Sequence, residues 1–245
     1  METVWLEGEV PFLTTEQMRE VDRAMAEDFG IDLARMMENA GRNLADLARH
    51  RFFGGDGRGG SVIVLAGPGG NGGGAMVAAR RLHSYGAVVG VVATREPEHM
   101  GEVAAQQLRI LENMGVPLTV GEMPPVRPPD LIIDGLIGYS LKGAPRGIVG
   151  ELINWANQRM EPVLSLDVPS GMDATSGKVY DPAVRATATM ILALPKEGLR
   201  TAESREVAGE LYLADIGVPA ELYAREPLGL QVGPIFAKAD VVRLA

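Results

Sequence analysis

Residues 61–93 read SVIVLAGPGGNGGGAMVAARRLHSYGAVVGVVA. An apolar run over 61–66 is followed by a glycine-rich turn, a helical stretch over 73–84 and a second apolar run over 87–93. Runs that are apolar throughout, rather than alternating, are what strands buried on both faces look like, and a helix between two of them makes the pair parallel. The alternation carries on. Further strands are predicted at 116–120, 131–134, 163–167, 189–194 and 210–215, with helices over 101–114 and 148–158. In the helix over 101–114, Val103, Leu108, Leu111 and Met114 recur near helical spacing. Upstream, Thr14 with Gln17 makes a capping box for a helix that closes near Gly30. Asp32 caps a second helix, whose apolar face is Leu33, Met36, Met37, Ala40, Leu44 and Leu47. The fold class that follows is α/β, a Rossmann-like three-layer α/β/α sandwich with a mostly parallel sheet and two extra N-terminal helices.

The chain has 245 residues, 46% of them hydrophobic and 22% charged, which suits one domain over residues 1–245. Neither the glycine-rich connector over 54–60 nor the proline-rich stretch over 123–130 shifts the composition enough to mark a boundary. A net charge of −9 repels phosphate backbones, so no nucleic-acid partner is expected. The absence of cysteine removes disulfides, thiolate nucleophiles and zinc–thiolate sites together. His50, His83 and His99 are too scattered for a ligand motif. No apolar run approaches the roughly 18 residues a membrane span needs, and the start METVWLEGEV is acidic where a signal peptide is basic. A cytoplasmic protein without a membrane partner is expected.

Three loops, each at the carboxyl end of a predicted strand, carry residue types suited to chemistry. In Gly67-Pro68-Gly69-Gly70-Asn71-Gly72-Gly73-Gly74 the glycines let backbone N–H groups and a helix N-terminus close on an anion such as phosphate. No Lys-Ser or Lys-Thr follows, which excludes a P-loop. Thr94 and Arg95 stand where an ordinary dinucleotide site has an acid, and Arg95 is either a partner for a 2′-phosphate or a plain surface charge. The second loop begins at Asp134, an acid closing a buried strand, where burial without a partner would be costly. It continues through Gly138, Tyr139, Ser140, Leu141, Lys142, Gly143 and Ala144, with Lys142 either a solvated charge or a functional one. The third, Asp167 to Asp173, again ends a strand on an acid, and Pro169 and Gly171 fix a turn that places the Ser170 hydroxyl. All three meet on one edge of the sheet, where open α/β folds bind ligands. On the second N-terminal helix, Glu38 and Asn39 are either solvated or reach a cleft, with solvation favoured, and the Met36–Met37 pair reads as core filling.

Taken in order, MMENAG at 36–41, GPGGNGG at 67–73, DGLIGYSLKG at 134–143, SLDVPSGMD at 165–173 and LALPKEGL at 192–199 resemble the NAD(P)H-hydrate epimerase family, the YjeF N-terminal domain. GELYLADIGVP at 209–219 looks like that family's closing strand. In many relatives the domain is fused to a dehydratase, and a chain without that partner is expected here. The substrate implied is NADHX or NADPHX, the cofactor hydrated at C6 of the nicotinamide ring, and the reaction interconverts its R and S epimers. A potassium ion is implied as well, with Asn71, Asp134 and Ser170 at the cation positions. Implied substrate positions are Gly70, Asn71, Gly72, Gly73, Gly74, the loop Gly138 to Ala144, and Asp167. Relatives usually read GPGNNGGDG, so Gly70, Gly74 and Ala75 depart from the pattern.

Loss of the C6 hydroxyl to an iminium-like species, and return of water on the other face, would exchange the epimers. Both steps need proton transfer. Lys142 and Asp167 are the expected acid and base, in either order. Two other functions stay open on sequence: a binding or scaffolding module of the same fold, and an NADP-dependent oxidoreductase resting on Gly67, Gly69, Gly72 and Arg95. A homodimer is also open, since the N-terminal helices have apolar faces for an interface or for the sheet. The tail over 228–245 stays open too, with 229–236 either an added edge strand or a crossing to another subunit.

Overall fold

The computed structural model describes residues 4–124 and 128–244. Eight strands form one sheet: β1 (Ser61–Ala66), β2 (Val88–Ala93), β3 (Leu118–Val120), β4 (Leu131–Gly135), β5 (Val163–Leu166), β6 (Ala188–Leu192), β7 (Glu210–Ala214) and β8 (Val241–Arg243). Their order is β3-β2-β1-β4-β5-β6-β7-β8, and every pairing is parallel except β7 with β8. The helices are α1 (Thr15–Glu27), α2 (Leu33–Phe52), α3 (Gly70–Ser84), α4 (Glu102–Asn113), α5 (Ile148–Asn157), α6 (Ala202–Ala208) and α7 (Ala220–Ala224). The expected α/β fold with its two N-terminal helices is what forms.

Alternate residues of each strand serve opposite layers, as a period of two demands. Val62 and Val64 pack with α2, α3 and α4 on one face, while Ile63 and Leu65 pack with α5 on the other. Past β5 the second face is covered by α6 and by Val168, Met172 and Leu199. Strand order reverses at β1, which pairs with β2 on one side and β4 on the other, so the chain winds outward in opposite directions from this pair and a crevice opens at the carboxyl ends. Helix α1 lies across that end. Its buried Met18, Val21 and Met25 pack with Leu13, Met36, Leu194, Ile216 and Tyr223, so the apolar face left open for a dimer is used within the chain. Its capping box forms as expected: Gln17 N–H donates to Thr14 Oγ1 at 3.2 Å and Thr14 N–H to Gln17 Oε1 at 2.9 Å.

Several boundaries differ from expectation for local reasons. β5 stops at Leu166 and β6 at Leu192 because Asp167 (φ 70°) and Ala193 (φ 64°) turn left-handed. Strand β8 is Val241–Arg243, so the tail's edge strand lies beyond 229–236; that stretch instead packs Leu230, Val232 and Ile235 onto the α1 side of the core. Within the proline-rich stretch expected to lead into β4, residues 125–127 lie outside the described residues. No helix among the described residues is long and apolar enough to cross a membrane.

Helix α3 starts at Gly70, three residues earlier than the sequence suggests, so the glycines are its first turn and not a loop before it. They are needed for close approach. A Cβ on Gly72 would overlap the Gly67 carbonyl, one on Gly67 the Leu136 carbonyl, and one on Gly73 the Met37 sulfur. Gly41 on α2 meets Val77 and the Gly74 carbonyl in the same way. Gly69, by contrast, has nothing within 4 Å of its would-be Cβ, and its φ is −106°. Gly72→Ala should therefore lower stability by about 3 kcal/mol or more through overpacking, and Gly69→Ala should leave it within about 1 kcal/mol. Urea unfolding measures both; equal losses would mean that α3 has room to shift.

Candidate active site

Asp134, near the end of β4, is completely buried and accepts four hydrogen bonds. Its Oδ1 receives Ser170 Oγ at 2.6 Å and Leu136 N–H at 3.2 Å, and its Oδ2 receives Ser165 Oγ at 2.8 Å and Ser170 N–H at 2.9 Å. Burial pushes the Asp134 carboxyl up, and these bonds from Ser170, Ser165 and Leu136 pull against it. The cost of burying an acid is offset by saturating it, and the loops after β4 and β5 are clamped together as a result.

Beside that clamp, Asp167 leaves β5 in a left-handed conformation that Asp tolerates better than most residues. Its Oδ2 accepts the Tyr139 N–H at 3.0 Å, and its Oδ1 lies 2.5 Å from Lys196 Nζ. Lys196 has no exposed surface at all, and its Nζ donates to the Leu192 carbonyl at 2.7 Å. An ammonium so buried needs a counter-charge, and Asp167 is that charge. Asp167 and Ala193 are the only non-glycine residues with positive φ among the described residues. Backbone strain of this kind costs about 1–3 kcal/mol per residue and persists where the surroundings over-determine it.

A cavity of about 260 Å³ opens over this pair. Met18 and Asp22 of α1 form one wall, and Met36, Met37 and Ala40 of α2 another. Gly70, Asn71 and Gly74 of α3, the segment Gly138 to Ser140, and Leu166 with Asp167 close it. Of the residues named from sequence, Gly70, Asn71, Gly74, Gly138, Tyr139, Ser140 and Asp167 are thus brought together. Gly72 and Gly73 are buried against the protein, and Leu141, Gly143 and Ala144 do not line the cavity. Lys142 stands exposed, and the lysine in contact with Asp167 is Lys196. The methionine pair fills core as expected and also lines the cavity. Glu38, read as solvated, is instead ion-paired with Arg80 and Arg81 of α3, and Asn39 Nδ2 donates to the Ile216 carbonyl at 3.3 Å.

Two contributors were missed. Lys196 sits two residues beyond a predicted strand that ends on the same edge as Asp167, a position that signals more than its residue type does. Asp22 sits four residues after Met18 and three before Met25, on the buried side of α1, where a charge is out of place without a partner.

The donor set suits a hard cation. Ser170 Oγ lies 2.6 Å from Asp134 Oδ1 and 3.1 Å from the Ile137 carbonyl, so three oxygens converge. Asn71, in the first turn of α3, has a buried Nδ2 without a hydrogen-bond partner, an N–H donor left for a ligand's acceptor, so only its Oδ1 could face a cation. No cluster of three His, Cys, Asp or Glu side chains placed to hold a metal ion occurs among the described residues.

Residues 33–198 match the family model described as the YjeF-related protein N-terminus. A protein of Dehalogenimonas lykanthroporepellens named NAD(P)H-hydrate epimerase is 44% identical over 88% of this chain and 86% of its own. One of the same name from Truepera radiovictrix is 36% identical over 86% and 92%. The bifunctional NAD(P)H-hydrate repair enzyme Nnr of Salinibacter ruber is 37% identical, over 85% of this chain but 41% of its own length. In fold, the crystal structure of the yeast protein YNL200c superposes with a TM-score of 0.80 over 96% of this chain and 100% of that one, at 24% identity.

Removing the Asp134 carboxylate strands two hydroxyls and two backbone N–H groups at once. Asp134→Ala should cost roughly 3 kcal/mol or more, whereas Ser165→Ala, which removes one of the four bonds, should cost about 1–2 kcal/mol. Chemical denaturation compares them, and a loss below about 1 kcal/mol for Asp134→Ala would show that the clamp is dispensable.

Proposed function

The chain belongs to the YjeF-related N-terminal family, and we propose on that footing that it interconverts the R and S epimers of NADHX and NADPHX. The observation that carries the mechanism is Asp167 on the cavity floor, ion-paired to the buried Lys196 beneath it. Epimerisation at C6 needs the hydroxyl to leave as water while the N1 lone pair forms a C6=N1 bond. Water then adds to the opposite face and gives up a proton. Asp167 lines the cavity and is the group placed to give or take these protons. Lys196 lies behind it, out of reach of substrate, and is a positioning residue that fixes the carboxylate and stabilises its charge.

At about 260 Å³ the cavity is smaller than the ~300–1,000 Å³ that enclose a drug-sized ligand, so it takes the hydrated ring and leaves the rest of the dinucleotide across the rim. The N-terminus of α3, whose N-cap Gly69 makes no side-chain capping bond, supports a phosphate position there. Exposed Lys142 suits binding of the substrate's anionic part better than proton transfer. Gly74 faces the cavity with an ordinary helical backbone, and a Cβ there would meet only Leu166 Cδ2 at 3.0 Å and Ala40 Cβ at 3.7 Å. The backbone at Gly74 would therefore accept a side chain once Leu166 Cδ2 gives by a few tenths of an ångström. A cytoplasmic setting accords with a cysteine-free acidic chain.

Potassium would be held by Asn71, Asp134 and Ser170, and when bound it supplies a fixed positive charge between the turn at α3 and the loops after β4 and β5. Potassium should then raise the melting temperature more than sodium at equal ionic strength, and Asn71→Ala should erase the difference. Equal stabilisation of the wild-type protein by both salts would contradict this site.

Kinetics separate the residue roles. Asp167→Asn, which keeps the left-handed tolerance, should lower kcat by about a hundredfold or more with KM little changed. Lys196→Met should lower kcat by more than it changes KM, because the ammonium that holds the Asp167 carboxylate in place is gone, and Lys196→Arg should recover part of the loss. Lys142→Ala should raise KM and leave kcat within about threefold. An active Asp167→Asn protein beside an inactive Lys142→Ala protein would reverse the assignment.

A further inference from the structure

Asp22 belongs to none of the loops at the strand ends, yet it lines the same cavity from the α1 side. The Tyr139 hydroxyl donates to Asp22 Oδ2 at 2.5 Å, while the N–H of the same tyrosine donates to Asp167 Oδ2 at 3.0 Å. One residue therefore stands between two carboxylates, one carried by α1 and the other by the end of β5. Around Asp22 the wall is apolar, with Met18, Leu33 and Met36. Burial pushes the Asp22 carboxyl up, the Tyr139 bond and Lys196 pull it down, and Asp167 pushes it up again. A carboxyl on the buried side of a helix adds nothing to packing that a leucine would not do better.

The chemistry proposed above has a requirement that Asp167 alone does not meet. Inversion at C6 means that water departs from one face of the ring and arrives on the other, and a single group fixed at one side of a ring reaches only one face. We propose that Asp22, held by Tyr139, is a second catalytic residue that handles the proton on the ring face opposite Asp167. In one direction the protonated Asp22 gives its proton to the C6 hydroxyl, the C–O bond breaks with its electron pair leaving on water, and N1 supplies the pair for C6=N1. Water then bonds to C6 on the other face and its proton passes to Asp167. The reverse direction exchanges the two roles, and solvent water resets the protonation between turnovers. Isomerisation is thereby balanced without any other reactant. This rests on the epimerase reading and adds to it the division of labour between the two walls.

Pure R and pure S epimers, each incubated with enzyme in H₂¹⁸O, test the division. Wild-type protein should interconvert the epimers and exchange the C6 hydroxyl with solvent. Asp22→Asn should lose epimerisation by about a hundredfold or more. One of its two epimers should still take up ¹⁸O with configuration retained, within about tenfold of the wild-type exchange rate, because Asp167 still serves its own face. Tyr139→Phe keeps the ring, removes the hydroxyl that holds Asp22, and should show the same signature more weakly; it stands in if Asp22→Asn does not fold. Wild-type epimerisation by either folded variant overturns the proposal, and so does loss of ¹⁸O uptake from both epimers along with inversion. Wild-type protein that neither epimerises nor exchanges removes the epimerase reading itself, and this proposal with it.

Discussion

Asp134 puts a carboxylate where no water reaches it, and the structure around the cavity is arranged to satisfy that group. Four donors from three residues close on its two oxygens, and three of the four come from the strand and loop next door. The loop after β5 cannot move without leaving a buried acceptor empty, which is more costly than the net gain of an ordinary hydrogen bond. Asp167 lies three residues before Ser170 on that loop, so its position is inherited from the clamp. Tyr139 is tied in through its N–H to Asp167, and Lys196 through its ion pair. The saturated Asp134 clamp is rigid, and rigidity is what the proton-transfer role proposed for Asp167 requires.

The glycines at the start of α3 do a second, separate job. They let α3 sit against Gly67, Met37 and α2 at distances that any Cβ would forbid, and so bring Asn71 to the rim beside the Asp167 loop. Their value for packing and their value for leaving backbone N–H groups open at a helix N-terminus arise from the same missing side chains. This is why a glycine-rich turn reads as an anion site in sequence while half of its glycines prove to face protein.

Much of this was legible beforehand because periodicity and strand-end acids report on strong constraints. Parallel strands buried on both faces leave unbroken apolar runs, and Asp134 and Asp167 stand out as acids that close them. Capping residues Thr14 and Asp32 were readable because a helix N-terminus has few ways to satisfy its N–H groups. Lys196 and Asp22 were not read in that way. A lysine is solvated far more often than buried, and only the pairing across β5 and β6 turns Lys196 inward. Asp22 depends on α1 crossing the carboxyl edge of the sheet, a tertiary fact that no local window contains. Lys142 was the converse case: a charge in the right loop whose exposed position only the fold reveals.

The central claim is that this cavity, built on the Asp134 clamp and floored by Asp167 with Lys196 behind it, epimerises hydrated nicotinamide cofactor. Its most direct measurement starts from chromatographically pure R-NADHX and follows the appearance of the S epimer with and without the protein. Rapid approach to the equilibrium mixture, at a rate proportional to enzyme concentration and far above the spontaneous one, is the result expected. Appearance of the S epimer at the spontaneous rate with saturating substrate and folded protein would contradict the claim.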